Sequence, residues 1–390
     1  MRLRSVLKVP LLCLIFTIFF TVSGCSIAPY PTDDISKNPK AVNFDNNDIQ
    51  HLKSFPFYEL ELEHNNEKLK VNIEQDDRGK IIEDFLNKII ANSEPGTKDI
   101  VITQKYIIKP LIRKIDLGDN KTFSVRYHRS YLYPPPNASI PVEFPNGRKY
   151  TALLDTGDCL NISLTSDVVV DNNFIIIPEL GQCHIPLLNI GTAKIKDTVG
   201  FYESQQWQFR MLNIPIYKQG LVFLGLGFIK SFNYVRFDNV EQKVVFSEEE
   251  VFKPGISESW ISFPFEIKPD EYKNERIMVQ MPINKKVYEL FFDTCGSKPG
   301  LSLSQDDWEL ISKDLKFKNL RKSHYLSWQA GRLPCQRATV SEISIGGKIL
   351  KNADVLIYEN PEHMSIFSLG YFQDTVVVLD FVNNLFWIKK

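Results

Sequence analysis

Residues 150–165 read YTALLDTGDCLNISLT, and the fold turns on how this stretch is read. Ala152, Leu153 and Leu154 form an apolar strand that runs straight into Asp155-Thr156-Gly157, and Leu160 to Leu164 resume the apolar pattern. A carboxylate at the end of a buried strand is costly unless something uses or satisfies it. The tripeptide alone says little, since about one chain in ten of this length would hold Asp-Thr-Gly by chance. Residues 288–303, YELFFDTCGSKPGLSL, supply a partner: the same Tyr, the same apolar run, Asp293-Thr294, a Gly close behind and the same Ser-Leu ending. The aspartates lie 293 − 155 = 138 positions apart, so the chain reads as a duplicated unit.

The repetition continues outward from these two stretches. Ile140 to Phe144, an Asn146-Gly147 turn and Lys149 to Leu154 predict a hairpin that delivers Asp155, and Ile277 to Met281 with Val287 to Phe292 predict another for Asp293. Each aspartate is followed by an apolar strand and a candidate short helix. In the second copy Ser304 is placed to cap that helix, with Trp308, Ile311 and Leu315 on one face. Leu188-Asn-Ile-Gly191 is matched by Ile343-Ser-Ile-Gly-Gly347. Leu224-Gly-Leu-Gly-Phe-Ile229, leading to Val235-Arg-Phe-Asp238, is matched by Leu369-Gly-Tyr-Phe372, leading to Val377-Val-Leu-Asp380. A repeat of this size means two domains of one fold rather than a solenoid. Ser-Phe-Pro-Phe occurs at 54–57 and at 262–265, which points to a first copy that begins near 54 and carries a large insertion.

With 390 residues, 43% of them hydrophobic and 24% charged, the chain holds enough apolar material for two cores. The formal net charge of −1 makes no case for nucleic acid. The basic stretch Lys313 to Lys322 is mixed with Asp and Leu and reads as one solvated helix face. The 27 Phe and 15 Tyr suit strand-rich cores.

Arg2, Arg4 and Lys8 precede an apolar run from Val9 to Phe20 that ends in Thr-Val-Ser-Gly-Cys25. That is the pattern of a secretory signal over residues 1–24. Val22-Ser23-Gly24-Cys25 also resembles the lipobox of bacterial lipoproteins, which implies cleavage before Cys25 and a lipid, palmitate included, on the new terminus. The expectation is a monomer in the bacterial cell envelope, anchored by lipid on Cys25. Ser26 resembles the sorting signal for the outer membrane. Without the signal the chain has 46 − 3 = 43 basic against 47 acidic residues, a net of −4.

Residues 25–53 are polar and turn-rich and predict a flexible tether. Residues 54–133 predict a small α+β extension or insertion: strands over Phe57 to Leu62 and Leu69 to Ile73, and a helix over Asp77 to Asn92 with Ile81, Ile82, Phe85, Leu86, Ile89 and Ile90 along one face. Tyr133-Pro134-Pro135-Pro136 marks a stiff boundary before a first lobe over 134–252, and a second lobe follows over 259–390.

Two copies of apolar–apolar-Asp-Thr, each followed 70–90 residues later by an apolar-Gly-aromatic strand end and an apolar-Asp, resemble the aspartic peptidases, and most of all their retropepsin-like lobes fused into a two-lobed pepsin plan. The resemblance covers about residues 138–250 and 262–390. It implies a mainly β fold of two retropepsin-like double-psi β-barrel lobes, a peptide or protein substrate in the cleft between them, and Asp155 and Asp293 sharing one water. In that chemistry two close carboxylates hold one proton: the ionised one takes a proton from water, and the protonated one stabilises the oxyanion. The resemblance also implies that Thr156 and Thr294 brace the two loops, that Gly157 and Gly296 let backbone approach the carboxylates, and that flaps lie near Leu180 to Gln182 and Trp328 to Leu333.

The chain departs from the family pattern at two positions. Asp158 adds a third carboxylate beside the pair, and Cys295 stands where Gly belongs, with Gly296 one place later. Two function classes therefore stay open: an endopeptidase of the envelope, and a catalytically silent relative that binds a peptide or protein in the same cleft.

The other motifs are few. His51, His64, His128, His184, His324 and His363 are scattered without metal-ligand spacing, so neither metal nor other cofactor is expected. Asp238 and Asp380 read as turn residues. Cys13 leaves with the signal and Cys25 is lipidated. Of the three pairings open to Cys159, Cys183, Cys295 and Cys335, the within-lobe disulfides Cys159–Cys183 and Cys295–Cys335 are the expectation, against four buried thiols.

Overall fold

The computed structural model describes residues 38–43, 59–71, 78–92, 99–107, 114–117, 120–127, 138–174, 176–177, 181–203, 208–211, 214–218, 220–249, 251–270, 274–296, 300–327, 331–359 and 363–390. The signal, Cys25, the first Ser-Phe-Pro-Phe and the proline boundary lie outside them.

The N-terminal part is an α+β unit with its own small core. Strands β1 (Asn38–Asn43), β2 (Glu59–His64), β3 (Glu67–Val71) and β4 (Asp99–Ile107) form a sheet in the order β1-β4-β2-β3. Helix α1 (Arg78–Ala91) buries Ile82, Leu86 and Ile89 against Leu62 and Val71, while Ile90 stays exposed, so the apolar stripe is one residue narrower than the sequence suggests. β1 interrupts the tether expected over residues 25–53. Its backbone pairs along β4 over six register positions, which needs no apolar side chains, and an edge strand of this kind tolerates Pro39.

The remainder is mainly β and repeats one plan twice. The first half comprises β5 (Lys114–Asp116), β6 (Thr122–Arg126), β7 (Ser139–Glu143), β8 (Lys149–Asp155), β9 (Ile162–Thr165), α2 (Ser166–Asp171), β10 (Ile176–Ile177), β11 (Gln182–Ile190), β12 (Ala193–Glu203), a separate hairpin of β13 (Gln208–Met211) and β14 (Ile214–Lys218), β15 (Leu221–Gly225), α3 (Leu226–Ile229), β16 (Tyr234–Asp238) and β17 (Lys243–Ser247). The second half comprises β18 (Trp260–Pro269), β19 (Glu275–Ile283), β20 (Lys286–Phe292), β21 (Leu301–Leu303), α4 (Gln305–Ile311), β22 (Phe317–Ser327), β23 (Gly331–Ile345), β24 (Lys348–Tyr358), β25 (Ile366–Phe367), β26 (Val376–Asp380) and β27 (Leu385–Lys389).

Each half closes a six-strand ring. In the first, β11-β7-β8-β15-β9-β12 runs round and returns to β11; in the second, β23-β19-β20-β25-β21-β24 returns to β23. The senses agree as well. The strand that ends at an aspartate lies parallel to its inner neighbour (β8–β15, β20–β25), and the strand after the aspartate lies parallel to the far arm of the hairpin (β9–β12, β21–β24). These inner strands are buried on both faces, which is why Leu153, Leu154, Leu290 and Phe292 read as continuous apolar runs. Closing the ring leaves no bare edge around the aspartates.

A six-stranded antiparallel sheet, β18-β27-β26-β16-β17-β6, joins the halves. Its central pair obeys the repeat. Arg236 faces Val378, 378 − 236 = 142, and Asp238 and Asp380 are also 142 apart; Tyr234 faces Asp380 just as Val376 faces Asp238. β6, upstream of the boundary expected at residue 134, is the outer strand beside β17, in the place that Trp260 to Pro264 takes beside β27.

Asp238 and Asp380 are buried turn residues: Asp238 accepts the Glu241 N–H and the Arg236 guanidinium, and Asp380 accepts the N–H groups of Val382 and Asn383. Ser304 caps α4 by accepting the Asp307 N–H at 3.1 Å, as its position suggested. The stretch Lys313 to Lys322 is not a helix face: it passes through a 3-10 turn into the edge strand β22, where alternate residues on both sides are exposed.

Candidate active site

Both aspartates sit at the point where a ring strand ends. β15 runs alongside β8 with Gly225 opposite Asp155, and a side chain at Gly225 would strike the Leu160 carbonyl at 2.1 Å. That glycine lets the chain after Asp155 fold back tightly across the strand end. In the second half the Asp293 N–H donates to the Phe367 carbonyl at 3.0 Å. Both loops then make the same turn: Asp158 N–H to Asp155 carbonyl and Gly296 N–H to Asp293 carbonyl, each 3.1 Å. Gly296 is therefore the counterpart of Asp158, and Cys295 the counterpart of Gly157.

The threonines lock the loops together. The Thr156 N–H donates to Thr294 Oγ1 at 2.9 Å and the Thr294 N–H donates to Thr156 Oγ1 at 3.0 Å. Each hydroxyl passes its own proton to the opposite half, Thr156 to the Phe292 carbonyl (2.9 Å) and Thr294 to the Leu154 carbonyl (2.5 Å). Both threonines are buried, so this reciprocal set satisfies every donor, and removing one hydroxyl would strand a buried N–H at a cost of about 1–3 kcal/mol.

The lock brings Asp155 and Asp293 into hydrogen-bond contact. Each accepts the N–H two residues on: Gly157 to Asp155 Oδ1 at 2.9 Å, Cys295 to Asp293 Oδ1 at 2.8 Å. Both are half-buried, with a face open to solvent. Gly157 touches both members, and a Cβ there would lie 3.0 Å from Asp155 Oδ1 and from Cγ and Oδ1 of Asp293.

The surroundings of the two carboxylates differ. Burial raises both pKa values. Asp155 rises well above the ordinary carboxylate range because the charges of Asp293 and Asp158 add to burial, against the single N–H of Gly157. Asp293 rises less, because the N–H groups of Cys295 and Gly296 and the Arg276 guanidinium favour its charge. Two buried carboxylates in contact resist carrying two charges, and the groups that favour a charged carboxylate, two N–H groups and the Arg276 guanidinium, gather on the Asp293 side.

Neither departure from the family pattern disturbs this arrangement. Asp158 turns away from the dyad and holds its own loop, with Oδ1 accepting the Leu160 N–H (2.9 Å) and Oδ2 the Ser163 hydroxyl (2.6 Å). Cys295 keeps the N–H bond that Gly157 makes, and its side chain points to the Leu154 carbonyl and packs against Leu153, Leu221 and Phe223. The Cβ at this position is accommodated without loss of that bond.

The expected disulfides are not formed; Cys159, Cys183, Cys295 and Cys335 are all free. The two thiols of each expected pair face different neighbours. Cys159 donates across the halves to Asn274 Oδ1, whereas Cys183 is buried beneath Gly200 beside Ile185 and Leu164. Cys295 packs on Leu153, Leu221 and Phe223, whereas Cys335 is buried with Leu356, Tyr358 and Tyr325. Burial pushes Cys159 up to about 11 and Cys183 up to about 12, which leaves both as unreactive neutral thiols.

The flap expectations fall on two hairpins, β10–β11 and β22–β23, whose tips at 178–180 and 328–330 lie outside the described residues.

One residue of the site gave no signal in the sequence. Arg276 on β19 donates from Nη1 to the Gly157 carbonyl, from Nε and Nη2 to Asp270 Oδ2 at 3.0 Å each, and lies over the Phe291 ring at 5.3 Å. No motif surrounds it, and its contact with the first loop spans 119 positions.

The sequence matches no protein-family model, and no curated protein matches it. Among solved structures, the aspartic proteinase from Irpex lacteus aligns over 69% of this chain and 97% of its own, with 11% identity and a TM-score of 0.40. A retropepsin-like aspartic protease from Rickettsia conorii aligns over 35% of this chain and 96% of its own, with 13% identity and a TM-score of 0.23.

Proposed function

We propose that this chain is an aspartic-type endopeptidase that hydrolyses peptide bonds through Asp155 and Asp293, and that it works in the bacterial cell envelope on a lipid anchor at Cys25. The observation that carries the catalytic part is the pair of half-buried carboxylates held in contact inside the reciprocal threonine lock.

On this reading the charge sits on Asp293, beside Arg276 and two N–H groups, and the dyad is set for water attack on an amide. Asp293 takes a proton from the water as its oxygen bonds to the carbonyl carbon, and Asp155 gives its proton to the carbonyl oxygen. The resulting diol returns a proton to Asp155 as the C–N bond breaks, and Asp293 passes its proton to the leaving nitrogen. Acid and amine leave, and the dyad again holds one proton. The loops do not move during these steps, because the threonine lock fixes them beforehand.

The envelope part rests on Val22-Ser-Gly-Cys25 behind the apolar run. Cys25→Ser leaves an unprocessed precursor on this reading; a variant processed and fractionated like the original would remove the anchor. For the enzyme, pure protein is incubated with a diverse peptide pool between acidic and neutral pH and read by mass spectrometry. Cleavage that disappears in Asp155→Asn supports the peptidase. No cleavage, with peptide binding that survives Asp155→Asn, replaces it with a binding protein.

A further inference from the structure

We propose that Arg276 is a positioning residue of this dyad: its guanidinium ties the loop of Asp155 to the second half and sets a cation beside the paired carboxylates. The inference rests on the dyad reading above and assigns a role to a residue outside the Asp-Thr motifs.

The geometry is that of a built clamp. Asp270 takes two of the guanidinium's donors and is itself fixed by the Asn274 N–H at 2.8 Å. Nη1 is left to reach the Gly157 carbonyl. Asn274 makes a second tie to the same loop, through Cys159 Sγ at 3.2 Å. Asn274 and Arg276, at the start of β19, thus hold Cys159 and Gly157 at two points. Arg276 is only 17% exposed and Asp270 only 8%, so water competes weakly for these bonds. What is held matters, because the Gly157 peptide touches both carboxylates. The Gly157 carbonyl shares a rigid peptide plane with the Asp158 N–H, which bonds the Asp155 carbonyl at 3.1 Å, so a shift of that carbonyl disturbs the turn that presents Asp155.

The clamp is also one-sided. The hairpin registers set Met278 opposite Phe291 and Ser139 opposite Leu153, so the first-half position matching Arg276 is two residues before Ser139. That position is Asn137, a neutral residue outside the described residues. Among the described residues, the repeat therefore supplies two like carboxylates and the cation beside them comes from the second half. The charged and titratable groups facing Asp293 among the described residues are Asp155, the Cys295 thiol and Arg276, with Asp158 behind Asp155 and Asp270 behind Arg276. Of these, Arg276 is the cation that favours a charged Asp293. It neutralises charge only in part because Asp270 shares it. A lysine would keep the charge but could not fork to Asp270 and Gly157 together.

The test is a titration that needs no activity. Full-length protein labelled with 13C at aspartate carboxyls is titrated by NMR, with Asp155→Asn and Asp293→Asn assigning the two signals. In Arg276→Gln the ionisation of Asp293 moves up by about one pH unit, the low end for losing an adjacent opposite charge. The acid limb of kcat/KM moves with it, and activity below that limb falls about tenfold. Arg276→Lys, which guards against a merely misfolded Gln variant, restores the ionisation of Asp293 while kcat stays reduced. An Asp293 signal that ionises at the same pH in wild type and folded Arg276→Gln overturns the inference, as does a Lys variant whose Asp293 matches the Gln variant. The outcomes separate the two claims. A chain that cleaves no peptide but whose Asp293 shifts in Arg276→Gln keeps the clamp and loses the peptidase. A chain that cleaves normally with an unmoved Asp293 does the reverse.

Discussion

The loop at Asp155 and the loop at Asp293 share a turn, a threonine lock and an N–H bond to the carboxylate, yet they sit in opposite electrostatic surroundings. The first has a glycine against both carboxylates and an extra acid, Asp158, close behind. The second has a thiol turned into an apolar pocket, two N–H groups on the carboxylate and a guanidinium nearby. The repeated plan gives the two carboxylates the same position; the residues that depart from it give them different surroundings.

The comparison breaks first at the aspartates. Asp155→Asn and Asp293→Asn are each expected to abolish peptide cleavage, with the double variant no worse, because the pair acts as one unit. Their stabilities should diverge. A carboxyl whose folded pKa lies above its unfolded value loses stability as pH rises between the two, so at neutral pH Asp155 opposes folding. Asp155→Asn should therefore raise Tm at neutral pH more than Asp293→Asn, which gives up the contacts that favour its charge. Equal shifts in Tm would mean that the two carboxylates are equivalent after all.

Next in size is Gly157→Ala, whose Cβ would press on both carboxylates at 3.0 Å. A misplacement on this scale costs about a hundredfold in kcat/KM. Steady-state kinetics within a few-fold of wild type would show that the first loop has the slack of the second. Asp158→Asn keeps the bonds to Leu160 and Ser163, since that hydroxyl can reverse its role, and removes a charge that raises Asp155. Activity is lost as pH rises through the ionisation of Asp155, so the alkaline limb should move to lower pH, by up to about one unit. A limb that stays in place would remove Asp158 from the asymmetry. The smallest effect is expected at Cys295→Ala, about 1 kcal/mol of stability for the lost packing on Leu153 and Phe223, with kcat unchanged. Denaturant unfolding of this variant alongside Gly157→Ala would show whether the third loop position serves packing in one half and catalysis in the other.

Much of the site was legible because its parts are local. Leu153-Leu154-Asp155-Thr156 and Phe291-Phe292-Asp293-Thr294 announce buried strands ending in carboxylates, and the Asn146-Gly147 turn, with Gly147 at a φ of +78°, announces the hairpin that delivers the first of them. What escaped was set by long-range placement. Nothing near Arg276 or Asp270 in sequence says that they meet Gly157. The cysteine spacing looked like one pair per half, but Cys159 and Cys295 both face the opposite half, at Asn274 and Leu154. Lys313 to Lys322 misled for another reason: charges spread evenly along a stretch suit an exposed helix and an edge strand equally well.

The register of the central strands carries a consequence for each half taken alone. Arg236 and Val378 occupy matching places in the two halves and face each other across the axis of the repeat, with Tyr234–Asp380 and Asp238–Val376 exchanged about them. Either half cut free would present β16 or β26 as an unpaired edge and leave a threonine N–H without its acceptor. A second copy of the same half would meet both needs in the same register. The arrangement is thus one that a symmetric dimer of either half could adopt. Within one chain each half can differ alone, so Arg276 needs no twin across the axis.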